Sequence, residues 1–113
     1  MRENKFRAWY PLKNKMIFLE ECRADKWFWF FNDVTLKRMQ YTGLKDKNGK
    51  EIYEGDMLRI SFREDFQIVR YAKDGYFATS EFALFELIRD EGYTYEVVGN
   101  IYENPELLEV WKP

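Results

Sequence analysis

The 113-residue chain reads as a mainly β fold: a small antiparallel barrel, open or closed, carrying one or two short helices. Three observations support this. Apolar stretches of strand length are separated by frequent turn residues. Aromatics make up 19% of the chain, and such side chains favour strands. Two segments, Lys5–Tyr10 and Met57–Phe62, alternate with the two-residue period of a half-buried strand.

The elements follow in order. In Lys5–Tyr10, Phe6, Ala8 and Tyr10 share one face, and Lys5, Arg7 and Trp9 the other. Pro11–Lys15 supplies turn residues, and Met16–Leu19 is the returning strand of a hairpin. Trp27-Phe28-Trp29-Phe30-Phe31 is short and wholly aromatic, so it is read as a strand apolar on both faces. Asn32-Asp33 is a turn signal, and Val34–Thr42 a weaker strand. Asn48-Gly49 favours the positive φ of a tight hairpin turn. Glu54-Gly55-Asp56 is a second bend that launches Met57–Phe62, with Leu58, Ile60 and Phe62 facing the core.

Phe66–Tyr71 and Tyr76–Thr79 flank a turn at Lys73-Asp74-Gly75. Ser80 caps a short helix over Glu81–Arg89, where Phe82, Phe85 and Ile88 recur at helical spacing. Tyr93–Ile101 is the last strand. Asn104-Pro105 then suggests a cap with proline at the first helical position, and a turn of helix through Leu108.

Hydrophobic residues at 46% and charged residues at 34% describe a globular chain. There is no repeat, low-complexity tract or linker, so residues 1–113 are read as one domain. A single cysteine, Cys22, excludes an internal disulfide framework and a Cys-rich zinc site. The absence of His removes the commonest general base and metal ligand. No apolar stretch follows Met1–Lys5, so no signal peptide is expected. The longest apolar run, Trp27–Phe31, is far short of the roughly 20 residues of a membrane helix. A soluble cytoplasmic protein without membrane contact is the expectation. Net charge is −2, but residues 1–50 carry 12 basic and 6 acidic side chains, and residues 51–113 carry 6 and 14. Such asymmetry marks nucleic-acid binding by the basic half, contact between halves, or simply a solvated surface.

Three segments resemble the YopX family of phage and prophage proteins. They are Lys5-Phe6-Arg7-Ala8-Trp9, the longer run from Tyr41-Thr42-Gly43-Leu44 to Glu54-Gly55-Asp56, and Val98-Gly99-Asn100-Ile101 through Leu108. Residues 18–38 and 62–92 carry no matching pattern. The resemblance implies a small protein encoded in a phage or prophage genome, acting inside the bacterial host as a multi-chain assembly. It carries no established activity and no catalytic residues, so none are transferred.

Each chemical motif has a structural rival. Asp46, Glu51, Glu54 and Asp56 would suffice for an oxygen-ligand cation site. The alternating calcium-loop spacing is absent, however, and Gly43, Gly49 and Gly55 read as backbone-geometry residues, so no metal is expected. Cys22 is flanked by Glu20, Glu21, Arg23 and Asp25 and has no His partner, so a catalytic thiol is not expected. Trp27 and Trp29, with Lys37, Arg38 and Tyr41, form the candidate interface or ligand surface. The leading expectation is a non-enzymatic, cofactor-free module that contacts its own copies and a host or phage protein. The alternative is a single-stranded nucleic-acid-binding small β-barrel using the basic, aromatic N-terminal half.

Overall fold

A computed structural model describes residues 5–61, 66–72, 77–79 and 93–110. The expected Glu81–Arg89 helix, the Lys73–Gly75 turn and Phe62 lie outside the described residues. The sequence reads as one domain; its contacts fall into two compact units, Met1–Tyr41 and Thr42–Pro113. Strand β3 (Lys37–Lys45) runs from the first into the second. The described strands form sheets of four, three and two strands. The expected mainly β class with short helices holds.

In the first unit, β1 (Phe6–Tyr10) and β2 (Lys15–Phe18) form the expected hairpin, with Ala8 opposite Ile17 and Tyr10 opposite Lys15. Its turn places Asn14 at φ 51°, a left-handed conformation that Asn tolerates better than most residues. On its other side β1 pairs antiparallel with β3, Ala8 opposite Arg38. The sheet order is β2-β1-β3-β4, where β4 is Glu51–Tyr53.

Between β2 and β3 the chain makes two turns of 3-10 helix, Leu19–Glu21 and Ala24–Lys26. It then forms α1 (Trp27–Asn32), a helix where a two-faced strand was expected. Periodicity cannot separate a short buried strand from a short helix. Asp33 accepts from the Thr35 N–H at 2.8 Å and its hydroxyl at 2.7 Å, and ends the helix. This same turn delays β3 to Lys37, three residues beyond the expected start. The helix inserts Phe30, fully buried, beside Ala8 and Leu36; Phe6, Tyr10, Ile17 and Trp29 pack around them.

In the second unit, β5 (Asp56–Ile60) is central to the sheet β6-β5-β9, with β6 Phe66–Ile68 and β9 Tyr95–Asn100. Leu58 and Ile60 are buried as expected and Arg59 is exposed, but Met57, assigned to the outer face, is also fully buried. The β5–β9 ladder shifts register between Met57 and Leu58. The expected single strand Phe66–Tyr71 breaks at Val69, which stays bonded to the start of β5: its N–H donates to the Asp56 carbonyl and its carbonyl accepts from the Gly55 N–H, each at 2.9 Å. After the break come β7 (Arg70–Tyr71) and β8 (Phe77–Ala78), paired antiparallel. Ile52, Leu58, Ile60, Val69 and Phe77 form the core of this unit.

The chain then turns into α2 (Glu106–Val110). Asn104 stands before this helix, as expected of a cap, and its backbone carbonyl accepts from the Leu107 N–H at 3.0 Å, whereas its side-chain oxygen faces back along the chain. That oxygen accepts from the Asn100 N–H at 3.1 Å.

Candidate functional site

The short helix α1 presents three exposed aromatic side chains. Trp27 is 48% exposed, Phe28 79% and Phe31 43%. The Trp27 and Phe31 side chains are anchored along one edge, and Phe28 only through its backbone. The Trp27 indole N–H donates to the Cys22 carbonyl at 3.4 Å. The Phe31 ring meets Phe6 and Phe30 edge to face at 5.7 and 5.2 Å. Asn32 donates its side-chain amide to the Phe28 carbonyl at 2.7 Å. Helical geometry sets this face: Trp27 and Phe31 are four residues apart with Phe28 beside them, while Phe30 points inward.

The five expected surface residues are therefore split. Trp27 lies on the exposed face. Trp29 is half-buried, its indole N–H held by Asp33 Oδ2 at 2.9 Å and its ring against Tyr10 at 5.5 Å. Lys37 is exposed at the start of β3. Arg38 Nη1 donates to the Phe30 carbonyl at 3.2 Å and the Asp33 carbonyl at 3.0 Å. It thus satisfies the end of α1 and sets a cation where the helix dipole is negative. Tyr41 is only 4% exposed, with the Lys5 amine 5.6 Å from its ring centre. Phe28 and Phe31 were not singled out, because a strand reading pairs Trp27 with Trp29. The Asp33-x-Thr35 sequence marks a turn after either element and so gave no sign of a helix.

A second feature of this unit is an open cleft of about 590 Å³ bordered by the β1–β2 hairpin and the 3-10 turns. Lys13, Lys15, Arg23 and Lys26 line it, with Glu21 the single acidic residue. Tyr10, Trp29 and Cys22 also face it. Burial pushes the Cys22 thiol up, and Glu21 and Glu20 add to the shift. Its Sγ donates to the Phe18 carbonyl at 3.5 Å. A thiol so held is a poor nucleophile.

Two aspartates of the second unit hold backbone. Asp46 is buried; its Oδ1 accepts from the Asn48 and Lys50 N–H groups, and its Oδ2 from Val97, each at 2.9 Å. Burial acts to raise its pKa, but the three N–H donors, aided by the Lys50 charge, hold the carboxyl below its usual range. Asp56 accepts from the Tyr53 N–H at 2.8 Å. Among the described residues no three His, Cys, Asp or Glu side chains converge as metal ligands would. Gly43, Gly49 and Gly55 have φ of 86°, 81° and 85°, the left-handed backbone for which glycine is suited.

The segments that carry the family resemblance thus build turns and ladders. Comparison with known proteins agrees. The family model described as YopX protein matches residues 19–109. No curated protein matches the chain. The structure is similar to the crystal structure of protein EF1440 from Enterococcus faecalis, with a TM-score of 0.65 and 27% identity over 96% of this chain and 99% of that one. With most of its length matched by that model and its turn residues in the places the fold requires, the chain belongs to the YopX family.

Proposed function

We propose that this protein is a non-enzymatic accessory protein of a phage or prophage, working in the host cytoplasm by self-assembly through the aromatic face of α1. The observation that carries the reading is the exposure of Trp27, Phe28 and Phe31 on adjacent turns of one short helix. Contiguous exposed apolar side chains mark interaction surfaces, and aromatics supply most of the energy at interface centres. The occupant is a second copy. A two-fold interface sets a patch against itself, so a charged patch would meet its own charge; α1 contains no ionisable residue between Trp27 and Asn32. Host or phage proteins would then meet the assembled form.

Size-exclusion chromatography with light scattering tests this. The wild-type chain is expected at a multiple of 13.9 kDa, with a protein-like 260/280 nm ratio. Phe28→Asp is expected to elute as a monomer with an unchanged far-UV circular dichroism spectrum. A monomeric wild type at 100 μM, or a Phe28→Asp variant of unchanged mass, overturns self-assembly. An excess at 260 nm that nuclease or high salt removes would favour the nucleic-acid alternative.

A further inference from the structure

The cleft beside the β1–β2 hairpin takes no part in the α1 face, and its chemistry differs. We propose that it is a binding site for a nucleoside phosphate. Its charge comes first. Lys13, Lys15, Arg23 and Lys26 line one cavity against Glu21. Arg23 is engaged by Asp25 at 3.5 Å. Among the described residues no carboxylate pairs with Lys13, Lys15 or Lys26. Three uncompensated ammonium groups around one concavity raise the local concentration of anions, and lysine binds phosphate as a point charge.

Aromatic surface comes second. Tyr10 and Trp29 line the same cleft, locked edge to face at 5.5 Å. The Trp29 indole cannot swing away, because its N–H is fixed to Asp33. A rigid aromatic pair beside cations suits a planar ring joined to an anion better than a bare anion. Size comes third. About 590 Å³ lies within the range of small-molecule sites, near 300–1,000 Å³. That volume holds a mononucleotide, whereas an oligonucleotide would have to run out over the surface.

Isothermal titration calorimetry on the full chain at 50 mM salt is the test. ATP is expected to bind one per chain and to weaken at 300 mM salt. Adenosine is expected to give no heat, and tripolyphosphate to bind at least tenfold more weakly than ATP. Lys15→Glu and Lys26→Glu, both at exposed positions, are each expected to weaken ATP at least fivefold with unchanged circular dichroism. Phe28→Asp is expected to bind ATP as the wild type does, so this site and the assembly face succeed or fail separately. Four results each overturn the proposal: no heat at 1 mM ATP, tripolyphosphate equal to ATP, unchanged affinity in both charge reversals, or a single-stranded 12-mer binding more tightly than ATP and displacing it.

Discussion

Gly99 and Gly49 are both glycines of the family-like segments, yet different constraints hold them. A Cβ at Gly99 would stand 2.6 Å from Asn104 Oδ1 and 2.9 Å from its Cγ. That oxygen is occupied by the Asn100 N–H, so it cannot move aside freely. At Gly49 a Cβ would meet nothing within 4 Å, and only the backbone, at φ +81°, resists a side chain. Gly99→Ala is therefore expected to cost about 1–3 kcal/mol through overpacking and a strained turn, and Gly49→Ala about 1 kcal/mol through left-handed strain. Urea unfolding of the two variants checks the order.

Asp46 supplies a test in pH. Its folded pKa lies below the usual carboxylate value, while in the unfolded chain it titrates near the ordinary value of about 3.9. Its stabilisation is therefore complete above that unfolded value and is lost as pH falls through the folded one. Asp46→Asn, which cannot accept all three N–H bonds, is expected to cost about 2 kcal/mol at pH 7. The gap from wild type should close below about pH 4, as urea unfolding across pH 2–7 would record. Asp33 shifts the same way, held down chiefly by Thr35, with Trp29 and the Arg38 charge adding to it. Its exposure makes that contribution small.

Helix α1 sets neighbouring side chains in opposite environments within six residues. Phe30 is fully buried and Phe28 is 79% exposed, two positions apart. Phe30→Ala should leave a cavity beside Ala8 and Leu36 and cost about 3–5 kcal/mol. Phe28→Ala should leave subunit stability within about 0.5 kcal/mol while weakening the assembly. Guanidinium unfolding separates the first effect, and light scattering the second. The loop from Asp46 to Lys50 is the other decisive element. Lys47 donates its N–H to the Tyr95 carbonyl at 3.1 Å, and Asn48 its side-chain amide to Glu96 at 3.2 Å. The loop thus ties the β3–β4 connection to β9, about 50 residues along the chain. Two of the segments that resemble the family are thus held together, and the family model matches the stretch between them as well.

For the whole molecule, the family match runs over residues 19–109 and so includes parts of both compact units. Self-assembly predicts a melting temperature that rises with protein concentration, since association stabilises the folded state by mass action. Differential scanning calorimetry at 5 and 200 μM is expected to show this for wild type and not for Phe28→Asp. The charge division between residues 1–50 and 51–113 acts differently at this scale. It concentrates cations where the cleft lies, although the chain as a whole is slightly acidic.

The sequence by itself determined the class, the hairpin at Pro11–Asn14, the Asn48-Gly49 turn, the bend at Gly55 and the inward Leu58 and Ile60. Each is a local matter of two-residue alternation or of residues suited to positive φ. The family was legible for the same reason, since its marks lie in turn residues. The tertiary structure alone decided three things. It made Trp27–Phe31 a helix, because an apolar run of five suits either period and only the packing of Phe30 against Ala8 and Leu36 chose between them. It separated Trp27 from Trp29, because side-chain direction follows from the period adopted, and it buried Tyr41 within β3. It gathered Lys13, Lys15 and Lys26 around Tyr10 and Trp29, because the antiparallel return of β2 and the 3-10 turns bring together residues that no sequence motif joins.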